Sequence, residues 1–344
     1  MGLVLDILNN EVRKKITVND KVLKEARKRR DLVAEAALEI EGALRWFRSG
    51  SVAHGWVNRP VTDADSGLVL DRRIHATLGP DGEGEGPEDI VDQLRDLVER
   101  KVRQEYPNTK VTKSRRGLLV EFNEPVTDKE DPTVDLIVTL TRKDADGLWI
   151  PDLDKDEWTP SHPEKHTDLF TGGTRELRSL RARVVRLAKA WNKQWDEGDR
   201  ALSSFNIGAL GWEYVTEPTV PLDEALAGWF RYAHDEVEKA ETKDPAEVSD
   251  PIRLLKPKGI VLKRLASAAE RLEHALANED DEDAVRDDLA TVYPDYVEPP
   301  AESKSAFARA LRTNEGIGAT ATGIALGTGT TMKRTRTYGE TGNG

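Results

Sequence analysis

The chain of 344 residues contains no cysteine. Disulfides and thiolate zinc sites are therefore excluded, and the absence fits a reducing compartment. Long apolar runs are missing too. No stretch approaches the ~18 apolar residues of a membrane span, and MGLVLDILNNEVRKK lacks the apolar core of a secretion signal. A cytoplasmic protein with no membrane association is expected. Excess positive charge is also absent: 63 acidic residues against 51 Lys and Arg leave a net charge of -12. No overall basic footprint for long nucleic acid exists, although a phosphate site needs only a few cations. Aromatic residues are sparse at 6%. What is present is 38% hydrophobic residues, enough for a sizeable core, and 33% charged residues for the surface.

Apolar positions recur at helical spacing from Asp20 to Phe47, with Asn19 or Asp20 as the cap, predicting one long helix. The pattern breaks at Arg48-Ser49-Gly50-Ser51. Leu68 to Leu70, Gly117 to Phe122 and Val134 to Leu140 read as strands. Ile90 to Val102 reads as an amphipathic helix. Pro80 to Pro87 is a Gly/Glu-rich loop, and Trp149 to Pro163 is expected to be a loop rich in Pro, Asp and Trp. Helices are predicted over Thr174–Trp195, Leu222–Lys239, Gly259–Asn278 and Val285–Val292. The class is therefore α+β, with a mixed N-terminal half and a helical C-terminal half. The expected parts are residues 1–160, 161–312 and a Gly- and Thr-rich tail over 313–344, basic at Lys333, Arg334 and Arg336.

The chemistry is concentrated in Gly50-Ser51-Val52-Ala53-His54-Gly55, followed by Thr62-Asp63-Ala64-Asp65-Ser66-Gly67. Residues two apart on an extended segment point the same way, so Asp63 and Asp65 present two carboxylates to one spot. Carboxylate oxygens are natural ligands for Mg²⁺, which binds substrate phosphates at the same time. The Gly50-Ser51 turn offers N–H groups and a hydroxyl to those phosphates. Asp135 supplies a third carboxylate from within Pro132-Thr133-Val134-Asp135-Leu136-Ile137-Val138. A charge inside a β-branched strand costs several kcal/mol when uncompensated, and a metal is a good reason to keep it. Three carboxylates suit a two-ion site of Mg²⁺ or Mn²⁺ acting on a triphosphate.

Gly50-Ser51, Asp63-x-Asp65 and Asp135 resemble the pattern of the polymerase-β-like nucleotidyltransferases. Trp158 to Thr167, Leu187-Ala188-Lys189-Ala190-Trp191-Asn192 and Leu202-Ser203-Ser204-Phe205 narrow the resemblance. They are similar to segments of the cGAS/DncV-like nucleotidyltransferases (CD-NTases) of bacterial anti-phage (CBASS) systems, relatives of cyclic GMP-AMP synthase and oligoadenylate synthetase. The resemblance runs from about Ala43 to Pro299. It implies a catalytic lobe with a mixed sheet, a helical lobe resembling that of oligoadenylate synthetase, and a cleft between them. It also implies synthesis of a cyclic di- or trinucleotide from ATP and other NTPs. Lys189 would then contact the triphosphate, Ser204 would hydrogen-bond it, and Phe205 would stack on a base. Trp56 departs from the Thr or other small residue that relatives more often carry after the glycine. The zinc insertion of the animal DNA sensor is absent, which with the acidic balance argues against activation by long DNA.

Other readings of the same carboxylates are nucleotidyl transfer to tRNA, protein or a small molecule, linear oligonucleotide synthesis, and a nucleotide-binding sensor without turnover. The intact acid triad argues against the last. The terminal Gly344 closes a tail chemically suited to conjugation. Among the relatives, some are joined to a partner in a ubiquitin-like way, so a regulatory or conjugating partner encoded alongside is an expectation of the resemblance.

Overall fold

The computed structural model describes residues 2–301. In chain order the helices are α1 (Leu3–Ile7), α2 (Lys14–Ile16), α3 (Asp20–Ala37), α4 (Gly50–His54), α5 (Glu88–Val102) and α6 (Pro163–Thr171). They continue as α7 (Arg175–Asn192), α8 (Ser204–Tyr214), α9 (Leu222–Lys239), α10 (Lys258–Ala277) and α11 (Glu282–Val292). The strands are β1 (Ala43–Ser49), β2 (Asp63–Leu70), β3 (Lys110–Ser114), β4 (Gly117–Glu121), β5 (Thr133–Thr141), β6 (Leu148–Asp152) and β7 (Glu157–Ser161). The class is mixed α+β, as the sequence indicates.

Two compact units are present, and neither is contiguous in sequence. The sheet unit takes residues 17–186 and 241–253; the helical unit takes 2–16, 187–240 and 254–301. This partition differs from boundaries at 160 and 312, because 2–16 join the helices while 161–186 and 241–253 join the sheet. The segment 313–344, with Lys333, Arg334, Arg336 and Gly344, lies outside the described residues.

The sheet runs β1-β2-β5-β4-β3, with β6 paired to β5 and β7 to β6. Only β2 and β5 are parallel; the other pairs are antiparallel. Alternation sorts the two faces. Leu68, Leu70, Val134, Leu136, Val138, Leu118 and Val120 join Val33 and Ala37 of α3 and Leu94 and Val98 of α5 in one buried core. The other set of positions, Asp63, Asp65, Gly67, Asp135 and Ile137, belongs to the opposite face. Asn19 caps α3 by accepting from the Lys21 N–H at 2.8 Å. Acidic Glu88 and Asp89 open α5 and Arg100 and Lys101 close it, each complementing the helix dipole.

Two expectations are corrected here. The long helix stops at Ala37, and residues 43–49 form β1. Gly42 takes φ +76 at the turn, and Leu44 and Phe47, three apart, point to opposite faces of the strand, Leu44 exposed and Phe47 buried. Residues 149–163 are not a plain loop but mainly the β6–β7 hairpin, with Trp149 opposite Pro160 and Pro151 opposite Trp158. The prolines are tolerated because β7 is an edge strand and β6 meets β5 only at Leu148 and Trp149. In the helical unit α9 packs on α10 and α10 on α11. Trp191, Trp229, Phe230 and Tyr293 fill its interior.

Candidate functional site

The parallel register between β2 and β5 places Asp63 opposite Thr133 and Asp65 opposite Asp135. Directly paired residues share a face, and so do residues two apart on one strand. All three carboxylates therefore emerge on the face away from the α3 and α5 core. Each offers an oxygen, and these oxygens lie within 4.8 Å of one another. It is the one such cluster of metal-ligating side chains among the described residues. Asp65 and Asp135 are both 5% exposed, so the negative charge is held largely out of water.

At that separation two ionised carboxylates repel by roughly 3 kcal/mol for an effective dielectric near 20. Three hard oxygen donors crowded in this way fit a divalent cation such as Mg²⁺ or Mn²⁺. The residues present therefore suit the ion that the sequence suggests.

Gly50 is placed by the same geometry. It follows Ser49, which pairs with Asp65 across β1 and β2. Its φ is +69, and a Cβ there would sit 1.5 Å from Asp65 Oδ2. Two independent constraints thus require glycine: the left-handed backbone and the carboxylate's close approach. Gly50 and Ser51 do not follow a helix, as the sequence suggests, but leave β1 and open the single turn of α4. Ser51 is partly exposed, and Gly50 is buried.

An aromatic cluster supports α4. The Trp56 ring packs 4.7 Å from that of Phe170 on α6, and the His54 ring lies 4.9 Å and 5.1 Å from these two. His54 Nε2 also meets Thr167 Oγ1 at 3.1 Å. Trp56, the departure noted in the sequence, is therefore a buried support of the loop. His166, on the same helix, hydrogen-bonds the buried carboxylate of Asp244. Burial pushes the Asp244 carboxyl up. The bond from His166 and the backbone N–H groups of Ser249 and Val248 more than offset this and hold it well below the usual carboxylate range.

Lys189, Ser204 and Phe205 belong to the helical unit, while Gly50, Ser51 and the three aspartates belong to the sheet unit. Lys189 is 8% exposed, unlike an ordinary helix-surface lysine. Ser204 is exposed and Phe205 partly so, which places neither in the core. Sequence reasoning gave no role to Asn192. Its Nδ2 donates to Leu202 O at 2.7 Å, and its Oδ1 accepts from the N–H groups of Ala201 and Leu202 at 3.2 and 3.3 Å. One amide thereby ties the end of α7 to the residues leading into α8. The only sequence signal was an Asn following Lys189-Ala190-Trp191.

Carboxylates converging from two parallel strands of a mixed sheet, beside a glycine pressed against one of them, are the arrangement that the resemblance in sequence implies for a nucleotidyltransferase. Residues 11–172 match the family model of the Second Messenger Oligonucleotide or Dinucleotide Synthetase domain, SMODS. The match spans a little under half of the chain and takes in α3, α4, the seven strands and α6. Solved structures agree on the fold. CdnC of E. coli MS115-1, in its complex with HORMA-deltaN, matches at TM-score 0.62 and 17% identity, covering 86% of this chain and 99% of that one. The Bradyrhizobium diazoefficiens CD-NTase CdnG, in complex with GTP, matches at TM-score 0.62 and 13% identity, covering 91% and 99%. The Vibrio cholerae DncV cyclic AMP-GMP synthase, with the linear intermediate 5′ pppA(3′,5′)pG, matches at TM-score 0.58 and 15% identity, covering 86% and 97%. No curated protein matches the chain.

Proposed function

We propose that this protein is a metal-dependent synthase that joins nucleoside triphosphates into a cyclic di- or trinucleotide messenger for anti-phage signalling. The observation that carries the reading is the register of Asp65 with Asp135, which gathers three carboxylate oxygens within 4.8 Å. Asp63, Asp65 and Asp135 hold two divalent ions, Mg²⁺ or Mn²⁺. Bound there, such ions supply Lewis-acid stabilisation of a triphosphate and of its leaving pyrophosphate.

The reaction forms a bond between a ribose hydroxyl oxygen of one nucleotide and the α-phosphorus of another. The bond from that phosphorus to the bridging oxygen breaks, and pyrophosphate leaves. Asp135 takes the hydroxyl proton or lowers its cost. The Gly50 and Ser51 N–H groups and the Ser51 hydroxyl hold phosphate oxygens. Lys189 pairs with the triphosphate as a point charge, Ser204 donates a hydrogen bond to it, and Phe205 stacks on a base. These last three assignments rest on their motifs. ATP is the expected substrate, since CdnC has been solved with ATP and CdnG with GTP. A protein partner belongs to the proposal on the strength of the CdnC complex with HORMA-deltaN. Conjugation through Gly344 belongs to it only through the tail's composition. Among the described residues no helix is long and apolar enough to cross a membrane, in keeping with a site in the cytoplasm.

The test is a product assay. The purified protein is incubated with four labelled NTPs and Mg²⁺ or Mn²⁺, treated with phosphatase, and the products are separated and weighed. A phosphatase-resistant product, absent from an Asp63→Ala, Asp65→Ala double variant, is expected, and its mass gives ring size and bases. A product that phosphatase degrades points to a linear oligonucleotide. Label appearing instead on tRNA, protein or a small molecule from extract refutes the cyclic reading in favour of transfer.

A further inference from the structure

Two charged side chains that take no part in the scheme above are among the most buried of the sheet unit: Arg29 is 1% exposed and Glu130 3%. Both act on the residues that lead into the acid-bearing strands. Arg29, on α3, directs its guanidinium at the connection between β4 and β5. Nη1 donates to Asp131 Oδ1 at 2.6 Å and to the Pro132 carbonyl at 2.9 Å, and Nη2 donates to the Glu124 carbonyl at 2.5 Å. Nε donates to Glu25 Oε1 at 3.1 Å, and the group lies 4.5 Å over the Phe122 ring. Both ends of the connection are thus fastened to one rigid, planar donor set.

Glu130 joins that connection to the other strand. Its Oε1 accepts from the Val61 N–H at 3.0 Å, and its own carbonyl accepts from the Val126 N–H at 2.9 Å. One step further on, Thr133 donates to the Thr62 carbonyl twice, from its N–H at 2.9 Å and from its Oγ1 at 3.2 Å. The next rung is Asp63 opposite Thr133, and two residues later Asp65 faces Asp135. Strand ends are where ladders open first. Here the end also carries three like charges, which push the two strands apart. A buried Arg and a buried Glu are costly to keep, and apolar packing would close the core equally well. What apolar side chains could not do is grip the backbone of both strand entries.

We infer that Arg29 and Glu130 are positioning residues that fix the spacing of the three carboxylates before a divalent cation arrives. The inference rests on the metal reading of the preceding subsection. It predicts that the grip is felt in cation affinity, through the same route by which groups behind metal ligands change affinity by about 10- to 100-fold.

The test measures Mn²⁺ binding to the full chain by the loss of the free-ion electron paramagnetic resonance signal, alongside amide exchange across residues 61–66 and 132–137. Glu130→Ala and Arg29→Lys are expected to bind Mn²⁺ at least tenfold more weakly. Exchange should be faster in those two segments but unchanged in α9 and α10. Glu130→Gln keeps an acceptor oxygen for Val61 and should bind within about threefold of wild type, a rescue that simple loss of core packing would not give. Mn²⁺ affinity within about threefold of wild type in both disruptive variants would overturn the inference. Should either variant fail to fold, Thr133→Val, which loses only the Oγ1 bond, decides: unchanged affinity and unchanged exchange overturn the inference. Asp63→Asn and Asp135→Asn separate the two readings. If they bind Mn²⁺ like wild type, the metal reading itself fails and this inference with it; if they lose binding while the anchor variants do not, only the inference fails.

Discussion

Replacing Gly50 by alanine isolates the demand that the acid site makes on the backbone beside it. The added methyl group would stand 1.5 Å from Asp65 Oδ2 and 2.4 Å from its Cγ. Ordinary contact begins near 3.4 Å. The carboxylate must therefore retreat by roughly 2 Å, ten times the ~0.2 Å within which ligand distances hold. Misplacement of ~1 Å costs about 100-fold in rate, so a loss of roughly 10²- to 10³-fold in kcat is expected, or about 3–4 kcal/mol. The left-handed φ of +69 adds about 1–2 kcal/mol of strain. Gly55 is the matched control. It has φ +73, and nothing lies within 4 Å of a Cβ built there. Gly55→Ala should carry the same backbone strain, visible as a few degrees lost in Tm, with kcat within about threefold of wild type. Steady-state product formation and thermal melting on both variants give the answer. Equal kcat losses in the two would show that strain in α4, not displacement of Asp65, governs activity, and the reasoning would be wrong.

Two further outcomes follow from the same charges. Asp135→Asn should lower turnover by at least about 10³-fold, yet in EDTA it should melt at or above wild type, because roughly 3 kcal/mol of repulsion per pair is relieved; added Mn²⁺ should raise the wild-type Tm and leave the variant's unchanged. A variant that melts well below wild type in EDTA would refute the crowding of the carboxylates. Asp244 has a folded-state pKa below its ordinary value, so its contribution is complete above pH ~4 and fades only as pH falls further. Asp244→Asn should therefore cost about 3–5 kcal/mol from pH 8 down to pH 5, with the Tm gap to wild type closing in more acid solution; a gap that widens toward acid would contradict the sign.

The acid site was legible because its signals are local. Asp63-x-Asp65 needs only the two-residue period of a strand, and Asp135 stands out as a charge within an apolar run. That these three meet depends on β2 and β5 lying side by side in parallel, a pairing between segments some 70 residues apart that no local pattern encodes. The end of α3 was misread because Val33, Ala37, Ile40, Leu44 and Phe47 fit helical spacing whether or not Gly42 breaks it. The β6–β7 hairpin was hidden by Pro151 and Pro160, residues that argue against a strand anywhere but at an edge. Trp56, Arg29, Glu130 and Asp244 gained meaning only from partners far along the chain. Lys189 was half legible: its motif singled it out, but its burial contradicts the surface lysine that its helix suggests.

The interleaving of the two units also sets a timetable for synthesis. Ser161 completes the last strand, but the sheet unit is finished only when residues 241–253 deliver Asp244 to His166. Some ninety residues separate these points, or about 5–20 s at ribosomal rates. Throughout that interval the nascent chain holds its acid-bearing strands without the segment that packs on α6, while residues 187–240 of the helical unit are being made. Full assembly of the sheet unit therefore waits on the second half of the chain, and α6 and the end of β7 gain their last partners only then.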